Sequence, residues 1–81
     1  MKEFPIKTPQ QLGSVLQGFR KDQGLNQTDA GSKVGLGQSV VSQLEKSPER
    51  AGWGKVFKLL SALDLEIVVR PRGSGVRKSE W

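Results

Sequence analysis

Residues 26–45, NQTDAGSKVGLGQSVVSQLE, carry punctuation that leaves room for little except two short helices joined by a glycine turn. Asn26 can cap the first helix by accepting from the backbone N–H groups of its first turn, and Asp29 adds a carboxylate near the positive end. Gly35 supplies the left-handed residue that ends this helix without a Cβ penalty. The second helix is expected from about residue 38 to 46. At about 100° per residue, Gln38, Ser39, Ser42, Gln43 and Lys46 fall within one arc, and Val40, Val41 and Leu44 fall within the opposite one. One face can pack while the other stays in solvent, the arrangement a helix needs to enter a groove of DNA.

The flanking sequence supplies the body for this pair. Thr8-Pro9-Gln10-Gln11 is a helix start, with Thr8 as cap, Pro9 at the first helical position and Gln11 closing a capping box. Leu12, Val15, Leu16 and Phe19 then recur at helical spacing, and Gly24 ends the helix. Gly13 and Gly18 each weaken it by up to ~1 kcal/mol against Ala, and are expected to mark close helix contacts. Phe4-Pro5-Ile6 reads as a short extended arm, with Phe4 or Ile6 stapled onto the start of this helix. SPERAG, residues 47–52, reads as a loop. Trp53, Val56, Phe57, Leu59, Leu60 and Leu63 define a last helix over about 53–63, with Trp53 and Phe57 expected in the core.

Leu65-Glu66-Ile67-Val68-Val69-Arg70 is a β-branched run stopped by Pro71, and reads as a single strand. A lone strand leaves its N–H and C=O groups unpaired. The economical solution is the same strand from a second copy, paired antiparallel across a two-fold axis. Residues 71–81 have the composition of a disordered tail. The tail closes on Trp81, which is either an anchor for a partner's pocket or an incidental exposed residue.

Eighty-one residues make one small domain with a thin core. With no Cys and no His, disulfides are ruled out and the usual zinc and iron ligands are missing, so oligomerisation is the remaining way to gain burial. No apolar run approaches a membrane span and no signal-peptide pattern opens the chain, so a soluble, cytoplasmic protein is expected. Thirteen Lys and Arg against eight Asp and Glu give a net charge of +5, a balance that favours a polyanionic partner. Enzymatic activity is not expected: Asp29, Glu49 and Asp64 are scattered, and Gly35 and Gly37 come without a phosphate-loop lysine. No cofactor and no metal are implied.

Gln27, Ala30, Val34-Gly35-Leu36, Val41-Ser42 and Leu44-Glu45 resemble the helix-turn-helix of the phage-repressor (Cro/cI, or XRE) superfamily, whose pattern runs roughly TQxxLAxxxGVxxxxISxxE. The resemblance covers about residues 8–63. It departs at Asn26 for Thr, Ala30 for Leu and Gly31 for Ala, swaps that shrink the core contact of the second helix and should cost stability. Within the superfamily the chain is similar to HipB-type antitoxins. The matching residues are Thr8-Pro9-Gln10-Gln11-Leu12, Glu45-Lys46-Ser47-Pro48, Phe57-Lys58-Leu59-Leu60, Leu63-Asp64-Leu65 and the closing Glu80-Trp81.

The resemblance implies a mainly α, lambda-repressor-like domain of four or five helices with one C-terminal β-strand that pairs across a homodimer. Its parts would be an arm over 1–7, the DNA-binding domain over 8–63, the dimerising strand over 64–70 and the tail over 71–81. It implies a type II antitoxin that represses its own operon at a near-palindromic operator, is held near the bacterial nucleoid by that binding, and neutralises a HipA-like Ser/Thr kinase toxin. Trp81 would reach into that toxin. Gln38, Ser39, Ser42 and Gln43 would face base edges, with Gln38 able to pair bidentately with adenine. Gln27, Lys46 and Arg50 would hold phosphates, with Lys33 and Lys55 weaker candidates. Arg20 and Glu45 would form a structural ion pair. The alternatives are a stand-alone repressor without a toxin, and a protein-interaction domain that kept the fold but not the DNA.

Overall fold

Thr8 begins the structured body of the chain. Its hydroxyl accepts from Gln11 N at 3.2 Å, and Gln11 Oε1 accepts in return from Thr8 N at 3.1 Å, so the capping box is complete and α1 runs Pro9–Asp22. The computed structural model describes residues 3–72. Trp81, with the rest of the segment from residue 73, lies outside the described residues. Four more helices follow: α2 Gln27–Ser32, α3 Gln38–Lys46, α4 Pro48–Ala51 and α5 Trp53–Ala62. Asn26 caps α2 by accepting from Asp29 N at 2.7 Å.

One C-terminal device is used three times. Gly24 and Gly35 take left-handed φ values of 74° and 73°, and Asp64 takes 59°. In each case the next residue is a leucine whose N–H returns to a carbonyl five residues back: Leu25 to Arg20 at 3.1 Å, Leu36 to Gly31 at 2.9 Å and Leu65 to Leu60 at 2.8 Å. This is the Schellman closure. All three leucines pack against the core, so each helix end is fixed by a hydrogen bond and an apolar contact together.

The core consists of Leu16 from α1, Ala30 from α2, Val41 and Leu44 from α3, and Val56, Leu59, Leu60 and Leu63 from α5 and its cap. Gly13 lets α1 approach α3 closely: a Cβ there would clash with the Glu45 backbone carbonyl. Gly31 does the same for α2 against the Leu36 carbonyl and Val41 Cγ2. Gly18, by contrast, faces open space and marks no helix contact. Gln23 Nε2 donates to Leu63 O at 2.8 Å, tying the end of α1 to the end of α5.

Three further expectations are corrected. Residues 48–51 are a single helical turn rather than loop, because Pro48 opens it with a preset φ, and Gly52 at φ 91° ends it. Trp53 and Phe57 are 66% and 53% exposed; Val56, Leu59, Leu60 and Leu63 already fill the core-facing arc of α5, and these two rings fall on its flank, 6.2 Å apart. Of the two staple candidates, Phe4 meets Phe19 edge to face at 5.7 Å, near the end of α1, whereas Ile6 lines a groove with Thr8, Pro9 and Leu12 at its start. Residues 65–70 follow α5 outside any helix; the expected strand is one half of a ladder between two copies, and a single chain holds only that half. Ile67, Val68 and Val69 are left exposed, Val69 by 92%.

Candidate nucleic-acid interface

α2 and α3 both open on glutamine, and their crossing brings the two side chains together. Gln38 Nε2 donates to Gln27 Oε1. Gln27 Nε2 in turn donates to Glu45 Oε1 at 3.0 Å. Glu45 is buried, and Arg20 grips it twice, through Nε to Oε2 at 2.5 Å and through Nη2 to Oε1 at 3.2 Å. The third arm of the guanidinium donates to Leu25 O at 2.8 Å, bracing the turn between α1 and α2. A continuous polar chain, Arg20–Glu45–Gln27–Gln38, therefore runs from the helix-packing core to the surface. No buried side-chain polar atom among the described residues lacks a partner.

The rest of the outer face of α3 is open. Ser39 and Gln43 are exposed and Ser42 is half-buried, while Val41, Leu44 and Glu45 on the opposite side are buried. Lys46 closes the last turn of α3 and Arg50 lies on α4, both exposed, as is Lys33 after α2. Side chains with both donors and acceptors thus lie on an open helix face, and exposed cations are carried on its last turn and on the two neighbouring helical segments; base edges require the first and phosphates the second. Gln27 differs from an exposed phosphate contact: it is half-buried, its Oε1 is occupied and one of its N–H groups is spent on Glu45. That chain was not read from the sequence, although its signal is present in the glutamines at the first position of both helices.

Residues 16–69 match the helix-turn-helix family. The chain belongs to it. The domain is of the XRE type, which places the chain among DNA-binding regulators. It is 32% identical over 68 residues to an uncharacterized HTH-type transcriptional regulator of Sinorhizobium fredii, covering 84% of this chain and 90% of that protein. It is 26% identical over 82 residues to Antitoxin HipB of Escherichia coli, covering 94% of this chain and 93% of that one. Among solved structures, a HipB-O4 20mer complex superposes with a TM-score of 0.83 at 25% identity, covering 88% of this chain and all of the HipB chain. A HipA-HipB-O2-O3 complex gives 0.82 at 25% identity over the same shares.

In this XRE-type domain the site is a positioned surface rather than a cavity. Among the described residues no cluster of three or more acidic, His or Cys side chains could hold a metal ion. No helix among them is long and apolar enough to cross a membrane.

Proposed function

We propose that this chain is the antitoxin of a HipBA-like pair: a dimeric, sequence-specific repressor of its own operon that also binds and neutralises a HipA-like Ser/Thr kinase. The observation that carries the DNA half is the exposed polar face of α3 with Gln38 anchored through Gln27 to a buried ion pair. An anchored amide has lost its rotamer freedom before it meets a base, so less entropy is spent on binding. Gln38 and Ser39 enter the major groove first, with Ser42 and Gln43 one turn further. Lys46, Arg50 and Lys33 hold phosphates, together with the second N–H of Gln27. Arg20 and Glu45 keep α1 and α3 in register.

The dimer half of the reading is supported by exposed Ile67, Val68 and Val69, which a second copy would cover while pairing residues 65–69 as an antiparallel ladder. Residues 1–7 act as an arm, 8–63 as the DNA-binding domain, 64–70 as the dimer strand and 71–81 as the partner-binding tail with Trp81 as anchor. The antitoxin reading is supported by the likeness to HipB over 94% of the chain, well beyond the helix-turn-helix itself. A stand-alone repressor without a toxin is the second reading; the likeness to an HTH-type transcriptional regulator of Sinorhizobium fredii fits a transcriptional role in either case.

Deleting residues 71–81 separates the two readings. If the antitoxin reading holds, the full chain copurifies with the HipA-like kinase and suppresses its autophosphorylation, while the truncated chain still shifts the upstream operator but loses the kinase. Failure of the full chain to bind any HipA-like kinase, with operator binding intact, leaves the stand-alone repressor.

A further inference from the structure

The polar chain between the core and the recognition surface has a direction, and its buried end sets it. An arginine only donates and a carboxylate only accepts, so Glu45 takes N–H groups from both Arg20 and Gln27. An amide that turns its nitrogen toward a carboxylate turns its oxygen the other way. In Gln27 that oxygen accepts from Gln38 Nε2. Gln38 is left with its Oε1 and one N–H for a ligand, in one of the two orientations its amide could take.

We infer that Glu45, acting through Gln27, is a positioning residue for base choice. The inference rests on the reading of Gln38 as a base contact. With the amide locked, Gln38 offers an acceptor and a donor in a fixed order, which suits the N6–H donor and N7 acceptor of adenine. A flipped amide offers N–H where the locked one offers oxygen, and donates to guanine O6 or thymine O4 at that point. Gln27 and Glu45 need touch no base to decide between these. They remove one of two orientations, and the excluded orientation is the one that reads the wrong base.

In vitro selection of duplex sites by the purified full chain reads the preference at each base position. Gln38→Ala identifies the position that Gln38 reads, as the one whose preference collapses. Gln27→Met keeps length and removes both hydrogen bonds; Glu45→Gln keeps shape and removes the acceptor-only end. Both are expected to reduce discrimination at that position by about tenfold while the preference at the other positions is kept; Gln27→Met also loses a phosphate contact and so weakens every site alike. Leu59→Ala is the control for lost stability, because it opens the core, makes none of these hydrogen bonds, and should keep the full preference. If Glu45→Gln fails to fold, Gln27→Met decides alone. Full preference retained by a folded Gln27→Met at the position that Gln38→Ala erases overturns the inference while sparing the reading of Gln38. A Gln38→Ala chain with every preference intact overturns that reading and the inference with it.

Discussion

Gln38 and Glu45 lie on the same helix and belong to different energetic accounts. Gln38 is exposed, and its one side-chain hydrogen bond within the chain is at the surface, so Gln38→Ala should leave the melting temperature within about 2–4 °C while removing specific operator binding. Glu45→Ala leaves the Arg20 guanidinium buried without its carboxylate and should lower stability by about 3–5 kcal/mol in urea unfolding. Equal thermal effects from the two would contradict this division. Gly31 sets two terms against each other. Alanine would gain about 1 kcal/mol of helix propensity, but its Cβ would press on the Leu36 carbonyl, which is backbone and cannot step aside. Overpacking of this kind costs about 1–3 kcal/mol, so Gly31→Ala should be net destabilising, measured as a lower urea midpoint. The departure from the superfamily's alanine at this position therefore matches the tight turn here and is no simple loss of core contact.

At the scale of elements, the helix ends are where local chemistry decides most. Asp64 does with a side chain what Gly24 and Gly35 do without one, at a cost of roughly 1 kcal/mol for the left-handed backbone. Asp64→Gly should raise stability by about 0.5–1 kcal/mol, visible as a higher urea midpoint with an unchanged slope. The bounds of α1 and α3 and the cap of α2 were legible because each depends on residues within one turn of the boundary: Thr8, Pro9 and Gln11, then Asn26, then the Gly35 closure. What depended on the neighbours was not. Periodicity puts Trp53 and Phe57 on an apolar helix but cannot say that four aliphatic residues have already taken its inward arc. A one-turn helix such as α4 is too short for a period to show against Pro48 and Gly52. Residues 65–70 read as a strand by their β-branched run, yet strand structure resides in a pair and one chain holds half of it.

At the scale of the molecule, the buried apolar core among the described residues consists of eight side chains, none larger than leucine, while Trp53, Phe57, Ile67, Val68 and Val69 are exposed. A second copy across residues 65–69 would cover part of this apolar surface and present two copies of α3 related by a two-fold axis. The account therefore predicts a dimer at micromolar concentration in sedimentation or native mass spectrometry. It also predicts binding that weakens steeply with salt, since Lys33, Lys46 and Arg50 would each displace a counterion on both half-sites. The candidate site was legible as a face, from the polar arc of α3, but the chain through Gln27 was not, because it depends on how two helices cross. The measurement closest to the central claim is fluorescence anisotropy of the full chain on duplex from upstream of its own reading frame, against a scrambled duplex of the same composition, across a salt series. The account predicts one dimer per near-palindromic site, with an affinity at least ~10³-fold above the scrambled duplex that Gln38→Ala abolishes. Equal affinity for both duplexes, or a specific preference that survives Gln38→Ala, would contradict it.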